Sequence, residues 1–404
     1  MNLLLVPTMR FLRDLSLSAV VAGFVAVLVG FTSSVALVFQ AAEALGATPA
    51  QTTSWIWALG LGMGLPCIGL SLYFRQPVLV AWSTPGAAVL ATAGVSMPEA
   101  VGAFMLSAGL ITLCGLTGWF ARVMNRIPLP LASGLLAGVL ARFGMEAFVA
   151  LKSQPLLVTV MFGVYLLGRR AWPRYAVPAV LAAGIATAAV LGLLQGSQLQ
   201  WTLAVPVWTT PQFSVNAAIG VALPLFVVTM ASQNLPGVAA IRAAGYDTPV
   251  SPLVATTGLT TLLLAPFGAY AVNLAAITAA ICLGREAHED PARRYTAAVM
   301  AGVFYLLVAV AGGAVVGLLA AFPRELVVAV AGFALLGTIA AGLAAAVKDD
   351  RHRESALITF LVTLSGVTLW GVGSAFWGVV AGAIALVVQH YRTRPAQPDV
   401  TVKP

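Results

Sequence analysis

Three stretches of this chain, Ala19 to Phe39, Val101 to Phe120 and Ala297 to Ala321, run without a single charged residue. A helix needs about 20 residues to cross the hydrocarbon core of a bilayer, so each stretch is long enough to span it. The composition agrees: 8% of the 404 residues are charged, against about 25% in soluble domains, which excludes a soluble fold. A transmembrane barrel is excluded as well. Its strands would read as about ten residues of alternating polarity, and nothing here alternates that way. What remains is an all-α polytopic membrane protein. The first run follows Arg10 and Arg13; it is too long for the apolar core of a signal peptide and is expected to be an uncleaved span.

Polar, charged and Pro/Gly-rich punctuation cuts the chain into about fourteen segments. They begin near Leu15, Thr52, Val78, Glu99, Leu129, Leu156, Tyr175, Val215, Pro249, Phe267, Ala292, Arg324, Ser355 and Ser374. With the N-terminus inside, about 18 of the 21 Lys and Arg residues fall in inner loops, as the positive-inside rule requires. Arg142, Lys152 and Arg324 are the exceptions, and the longest outer loop, Gln195 to Ser214, holds no Lys or Arg. Both termini are therefore expected in the cytoplasm. The net charge of +8 comes from basic residues scattered between spans, not from a basic domain that could hold nucleic acid.

Fourteen segments divide into two inverted halves, the plan of many transporters. In each half the third segment, the third and tenth of the chain, is short and interrupted. Pro77 to Trp82 reads as extended, and Ser83-Thr84-Pro85-Gly86 then leads into a half-helix over Ala87 to Ala93. Pro266 to Asn273 likewise leads into a half-helix over Leu274 to Leu283. Proline and glycine free backbone groups that, in a membrane, must be buried in protein or line a wet cavity. A single break reads as a kink; the matched pair points to a central binding site. Free N–H groups at each half-helix start suit a carboxylate, with Ser83 and Thr84 placed to cap one and Asn273 to serve the other.

Gln233 and Asn234, in the run Ser232 to Gly237, sit at the inner half of an otherwise apolar eighth segment. Amides there must face protein or a cavity, as helix glue or as ligand donors. Ser33, Ser34 and Gln40 are weaker candidates, because hydroxyls bond their own helix carbonyls. Arg142 and Glu146 stand four apart and so share a helix face; they read either as a structural ion pair or as a gate or proton-responsive pair. The other carboxylates, among them Asp14 and the Glu286 to Asp290 cluster, fall near segment ends and are expected to be solvated. His288, His352 and His390 also lie at inner positions, which argues against an intramembrane histidine relay. Cys67, Cys114 and Cys282 show no metal or redox spacing. Gly134 with Gly138 and Gly313 with Gly317 make small faces for helix packing. No zinc-binding His-Glu-x-x-His and no nucleophile elbow appears, so an intramembrane enzyme is disfavoured and no metal or cofactor is expected.

Taken together, Arg13 to Ser16, Ser83 to Ala88, Gln233 to Gly237 and Pro266 to Asn273 resemble the benzoate/proton symporter (BenE) family of bacterial inner-membrane proteins, over essentially the whole chain. The resemblance implies proton-coupled uptake of benzoate or a similar aromatic carboxylate. It also implies distant kinship with uracil and xanthine transporters, whose fold has a core and a gate. On that plan residues 15–125 and 215–322 form the core, 126–195 and 323–391 the gate, and 395–404 a flexible cytoplasmic tail. The nucleobase relatives place glutamates on the eighth and tenth segments; here the matching positions are Gln233 and Val272. Losing two carboxylates suits an anionic substrate, since like charges repel strongly in a low dielectric.

The expected substrate contacts are Ser83, Thr84, Gly86, Gly268, Tyr270 and Asn273 around the carboxylate, with Gln233 and Asn234 donating and Phe267 and Tyr270 packing on the ring. The proton carrier stays open between Glu146 and the acid itself. A passive facilitator or channel, or a carrier of another small anion or a nucleobase-like compound, is the alternative, and a homo-oligomer fits either.

Overall fold

The computed structural model describes residues 11–91, 93–194, 204–311, 321–369 and 373–390. The expected tail over 395–404, Gly313 with Gly317, and the side chains of Ser33 and His390 lie outside the described residues. Ser16 opens the first helix, α1 (Leu17–Ala44), by accepting the Ala19 N–H. Thr48 and Gln51 form a reciprocal capping box on α2 (Pro49–Phe74), each satisfying a backbone donor that a helix start leaves free. A short strand, β1 (Val80–Trp82), precedes the seven-residue α3 (Thr84–Leu90). Then come α4 (Met97–Leu116), α5 (Leu129–Val149), α6 (Pro155–Ala171) and α7 (Ala176–Val190).

The second half of the chain begins with α8 (Val215–Ala243) and α9 (Val250–Leu264). A second strand, β2 (Val272–Leu274), precedes the seven-residue α10 (Ile277–Leu283). The remaining helices are α11 (Tyr295–Ala311), α12 (Arg324–Val347), α13 (Arg353–Ser365) and α14 (Ser374–His390). Among the described residues, seven helical runs are long and apolar enough to cross a membrane: α2, α4, α5 continued to Lys152, α8, α9 continued to Phe267, α11 extended back to Pro291, and α12.

Packing partners sort by position in the chain. Helix α11 lies along α2 and α1, α9 along α4 and α2, and both α3 and α10 rest on α1. Helix α12 lies along α5, α13 packs on α5 and α14, and α6 packs on α7. Side chains too small to hold backbones apart allow this: a Cβ on Gly134 would come within 2.5 Å of the Ala356 carbonyl, and one on Gly138 within 2.7 Å of that of Phe360. Such close approach is how helices associate where lipid is as apolar as leucine.

The half-helices start at different residues from those expected. The first begins at Thr84 rather than Ala87, since Pro85 fits the first turn of a helix, where its missing N–H costs nothing. The second begins at Ile277 rather than Leu274, because the intervening backbone is used by a strand.

Candidate functional site

β1 and β2 pair antiparallel, with Val80 opposite Leu274, Ala81 opposite Asn273 and Trp82 opposite Val272. The broken backbone finds its other partners nearby. Ser83 N–H donates to the Ala271 carbonyl at 3.1 Å and Ala275 N–H to that of Leu79 at 3.0 Å. Side chains supply the rest: Thr261 Oγ1 accepts from Val272 N–H, Asn234 Oδ1 from Leu274 N–H at 2.9 Å, and Ser71 Oγ from Val78 N–H. Inside a bilayer each of these groups would otherwise be stranded without water.

Helix α8 brings its amides to this crossing by a local change of pitch. Pro236 has no N–H to bond the carbonyl four residues back, and its ring crowds that carbonyl. Met230–Asn234 accordingly widen into a π-turn, a distortion common at functional sites. Asn234, fully buried, points at β2, while half-buried Gln233 faces an open space.

That space is a cavity of about 70 Å³, smaller than the roughly 300–1,000 Å³ of most small-molecule sites. Its polar lining comes from Ser34 on α1, Thr84 on α3, Gln233 on α8, Thr278 on α10 and Tyr305 on α11. Its apolar lining includes Val29, Met63, Ile277 and two large rings, Trp82 from β1 and Phe143 from α5. Among the described residues, no Asp, Glu, Lys, Arg or His lines it. The Trp82 indole donates to Ser34 Oγ at 2.9 Å, and Ser34 donates to the Gly30 carbonyl, so both are already engaged. Gln233 and Thr84 make no side-chain hydrogen bond to the described residues, and Thr278 Oγ1 is buried without a partner among them, so these three side chains are left to meet a ligand. At the start of α10, Ala275 to Thr278 line the cavity and no side chain caps the helix. In a helix of seven residues these N–H groups matter as donors rather than through a large dipole.

Of the sequence candidates, Thr84 and Gln233 line the cavity. Ser83 is buried and caps α3, accepting from Gly86 N–H at 3.0 Å. Gly86 sits where a Cβ would come 2.7 Å from Leu225, so it serves packing. Asn273 is 0% exposed, donates to the Ala271 carbonyl at 2.9 Å, and keeps its Oδ1 without a partner among the described residues. Tyr270 lies between Trp55 and Phe104, at centroid distances of 5.6 and 6.0 Å. Phe267 packs edge-on against Trp57 and Trp208. Gly268 takes a left-handed φ of 104° with the Trp55 indole directly over it. These four residues build the wall behind β2 rather than the cavity. Val272 is buried there too, against Gly62.

Arg142 and Glu146 do not pair: both are exposed, the guanidinium lies over Gly366 at the end of α13, and Glu146 lines a separate cavity with Arg324, Glu325 and Ser153. Phe143, Thr278 and Tyr305 carry no signal in the sequence, being ordinary residues of apolar helices. The expectation of solvated carboxylates fails at Glu286, which is 6% exposed and bonded to Arg169 at 2.7 Å. It fails in part at Asp14, which accepts from the Tyr295 hydroxyl at 2.9 Å.

Broken, paired segments flanking a cavity inside a bundle of membrane-length helices are the arrangement of a membrane transporter. Residues 13–388 match the family described as Benzoate membrane transport protein, and this chain belongs to that family. It is 49% identical to "Inner membrane protein YdcO" of Escherichia coli (strain K12) over 91% of this chain and 94% of that protein. It is 40% identical to "Benzoate membrane transport protein" of Acinetobacter baylyi over 93% and 96%. Among solved structures, SLC26A9 aligns with a TM-score of 0.50 at 12% identity, over 96% of this chain and 68% of that one, a likeness of fold alone. The transmembrane domain of the cyanobacterial bicarbonate transporter BicA aligns with a TM-score of 0.41 at 12% identity, over 92% and 96%.

Proposed function

We propose that this chain is a bacterial inner-membrane symporter that carries benzoate, or a similar aromatic carboxylate, together with a proton by alternating access. The observation that carries the reading is the cavity: polar at Gln233, Thr84 and the α10 start, ringed at Trp82 and Phe143, and without an acidic, basic or histidine side chain among the described residues. An aromatic acid has the same division, a flat apolar body and one strongly accepting end. Gln233 and Thr84 donate to the carboxylate with the N–H groups at the start of α10, and Phe143 and Trp82 bracket the ring. With no anionic side chain in the lining, a carboxylate meets no like charge.

The fourteen-segment inverted repeat belongs to this proposal. Two equivalent strands related by an axis in the membrane plane meet antiparallel, as β1 and β2 do. In the same reading residues 15–125 and 215–322 are the core and 126–195 and 323–391 the gate, in keeping with the packing partners of α11 and α12. Phe143 is then the gate's contribution to a cavity otherwise built by the core. Both termini, and the basic inner loops, face the cytoplasm.

The test is uptake of labelled benzoate into proteoliposomes with and without an imposed pH gradient. Accumulation above equilibrium only with the gradient is the expected result. Equilibration alone assigns a passive facilitator instead, and no benzoate movement removes the substrate assignment.

A further inference from the structure

A buried carboxylate that the cavity does not use lies beyond the opposite end of α10. Leu283 ends that helix, and three residues later Glu286 turns its carboxylate into the other packing group. Its Oε1 lies 2.7 Å from Arg169 Nη1, near the end of α6. Two glycines make the socket. A Cβ on Gly337 of α12 would stand 2.7 Å from Oε1, and one on Gly284 would stand 2.9 Å from Oε2. The glutamate is 6% exposed but its arginine partner 39%. Arg169 can therefore pass from carboxylate to water when the surfaces part, while Glu286 can be hydrated only by their parting.

The groups facing this carboxylate are few. From α6 they are Arg169 and, one turn earlier, the buried Tyr165, which stacks on Phe333 of α12. From α12 they are Gly337 and Thr338, whose buried Oγ1 has no partner among the described residues and lies 3.3 Å from a Cβ built on Gly284. On its own loop, His288 Nδ1 accepts from Asp290 N–H, and Arg294 is spent on the carbonyls of Leu283 and His288. Arg169 is thus the ion-pair partner of Glu286 among the described residues.

We propose that Glu286 and Arg169 are positioning residues of the transport cycle: their ion pair is a latch between core and gate that opens once per turnover. The seven residues of α10 join it to the cavity, because the helix lines the cavity at its start and leads to the latch at its end. A displacement of α10 by bound substrate therefore reaches Glu286 through one short rigid element. This inference rests on the core-and-gate reading above and adds to it the contact that must break. A static structural role predicts the opposite: an ion pair that never separates.

Two independent arms test it in the full-length protein in proteoliposomes. In the first, Arg169→Cys and Glu286→Cys are combined with Cys67→Ala, Cys114→Ala and Cys282→Ala and joined by a short, reducible bis-methanethiosulfonate. Crosslinking is expected to cut benzoate uptake about 20-fold or more, with recovery on reduction and benzoate affinity kept within about two-fold, since the bodies can no longer rock apart. In the second arm, Arg169→Glu and Glu286→Arg are each expected to lower the maximal rate about five-fold or more at unchanged affinity, and the double reversal to recover most of it. Crosslinked protein that transports at the uncrosslinked rate overturns the latch. So do single reversals that change only protein yield. Wild-type protein measured in parallel separates the two readings: no wild-type uptake removes the benzoate assignment, whereas normal wild-type uptake with an inert crosslink removes the latch alone.

Discussion

The segments β1–α3 and β2–α10 face each other across one pair of strands, yet they are finished differently. The first enters its helix through a side-chain cap, Ser83, and offers the Thr84 hydroxyl to the cavity. The second enters without a cap, and its polar and aromatic residues, Tyr270 and Asn273, turn away into the wall with Phe267 and Gly268. One break supplies side-chain chemistry, the other a shaped backbone held from behind. The two breaks thus need not carry equivalent duties, and substitutions should separate binding defects from folding defects along that line.

The largest effect is expected behind β2. Gly268→Ala sets a side chain on a left-handed residue beneath Trp55 and should cost about 3 kcal/mol or more, seen as lost monodisperse protein in size-exclusion chromatography and a lower melting temperature. Gln233→Ala should leave folding intact and weaken benzoate binding roughly 10-fold or more, because it removes a donor to a charged group. Equal loss of stability in both variants would erase the contrast between wall and cavity. Phe143→Ala should weaken aromatic acids about five-fold while changing short aliphatic acids much less, read by competition against labelled benzoate. Thr84→Val, losing one hydroxyl, should cost about three-fold in affinity. Asn273→Ala should lower the melting temperature and leave the affinity of the surviving protein within about two-fold.

Much of this was legible in the sequence, for physical reasons that also mark where legibility stops. Pro77, Pro85, Pro266 and Gly268 announce broken backbone, because neither residue type is at ease inside a span. Gln233 is legible because an amide in an apolar helix demands a partner. Which way a side chain points out of a break is not local information: Tyr270 and Phe267 are held by Trp55, Phe104, Trp57 and Trp208, from distant segments. Phe143 looks like any residue that greases a helix, since lipid and protein interiors ask for the same side chains there. Glu286 sits in a charged run that reads as solvated, and its partner Arg169 stands 117 residues earlier. The π-turn over Met230–Asn234 follows from Pro236 only once the helix is known to continue through it.

The two-stranded pairing also has a consequence for how the chain is made. Val80 to Trp82 emerge from the ribosome about 190 residues ahead of the strand that completes their hydrogen bonds. At about 5–20 residues per second, the wait is roughly 10–40 s. Through that interval the nascent first half holds an unpaired strand edge that hydrocarbon cannot accept. Insertion of this segment must then be held at the translocon, or at a hydrated flank of the bilayer, until Val272 to Leu274 arrive. Biogenesis of the two halves is therefore expected to be coupled, and truncation between them should leave the first half a substrate for membrane proteases.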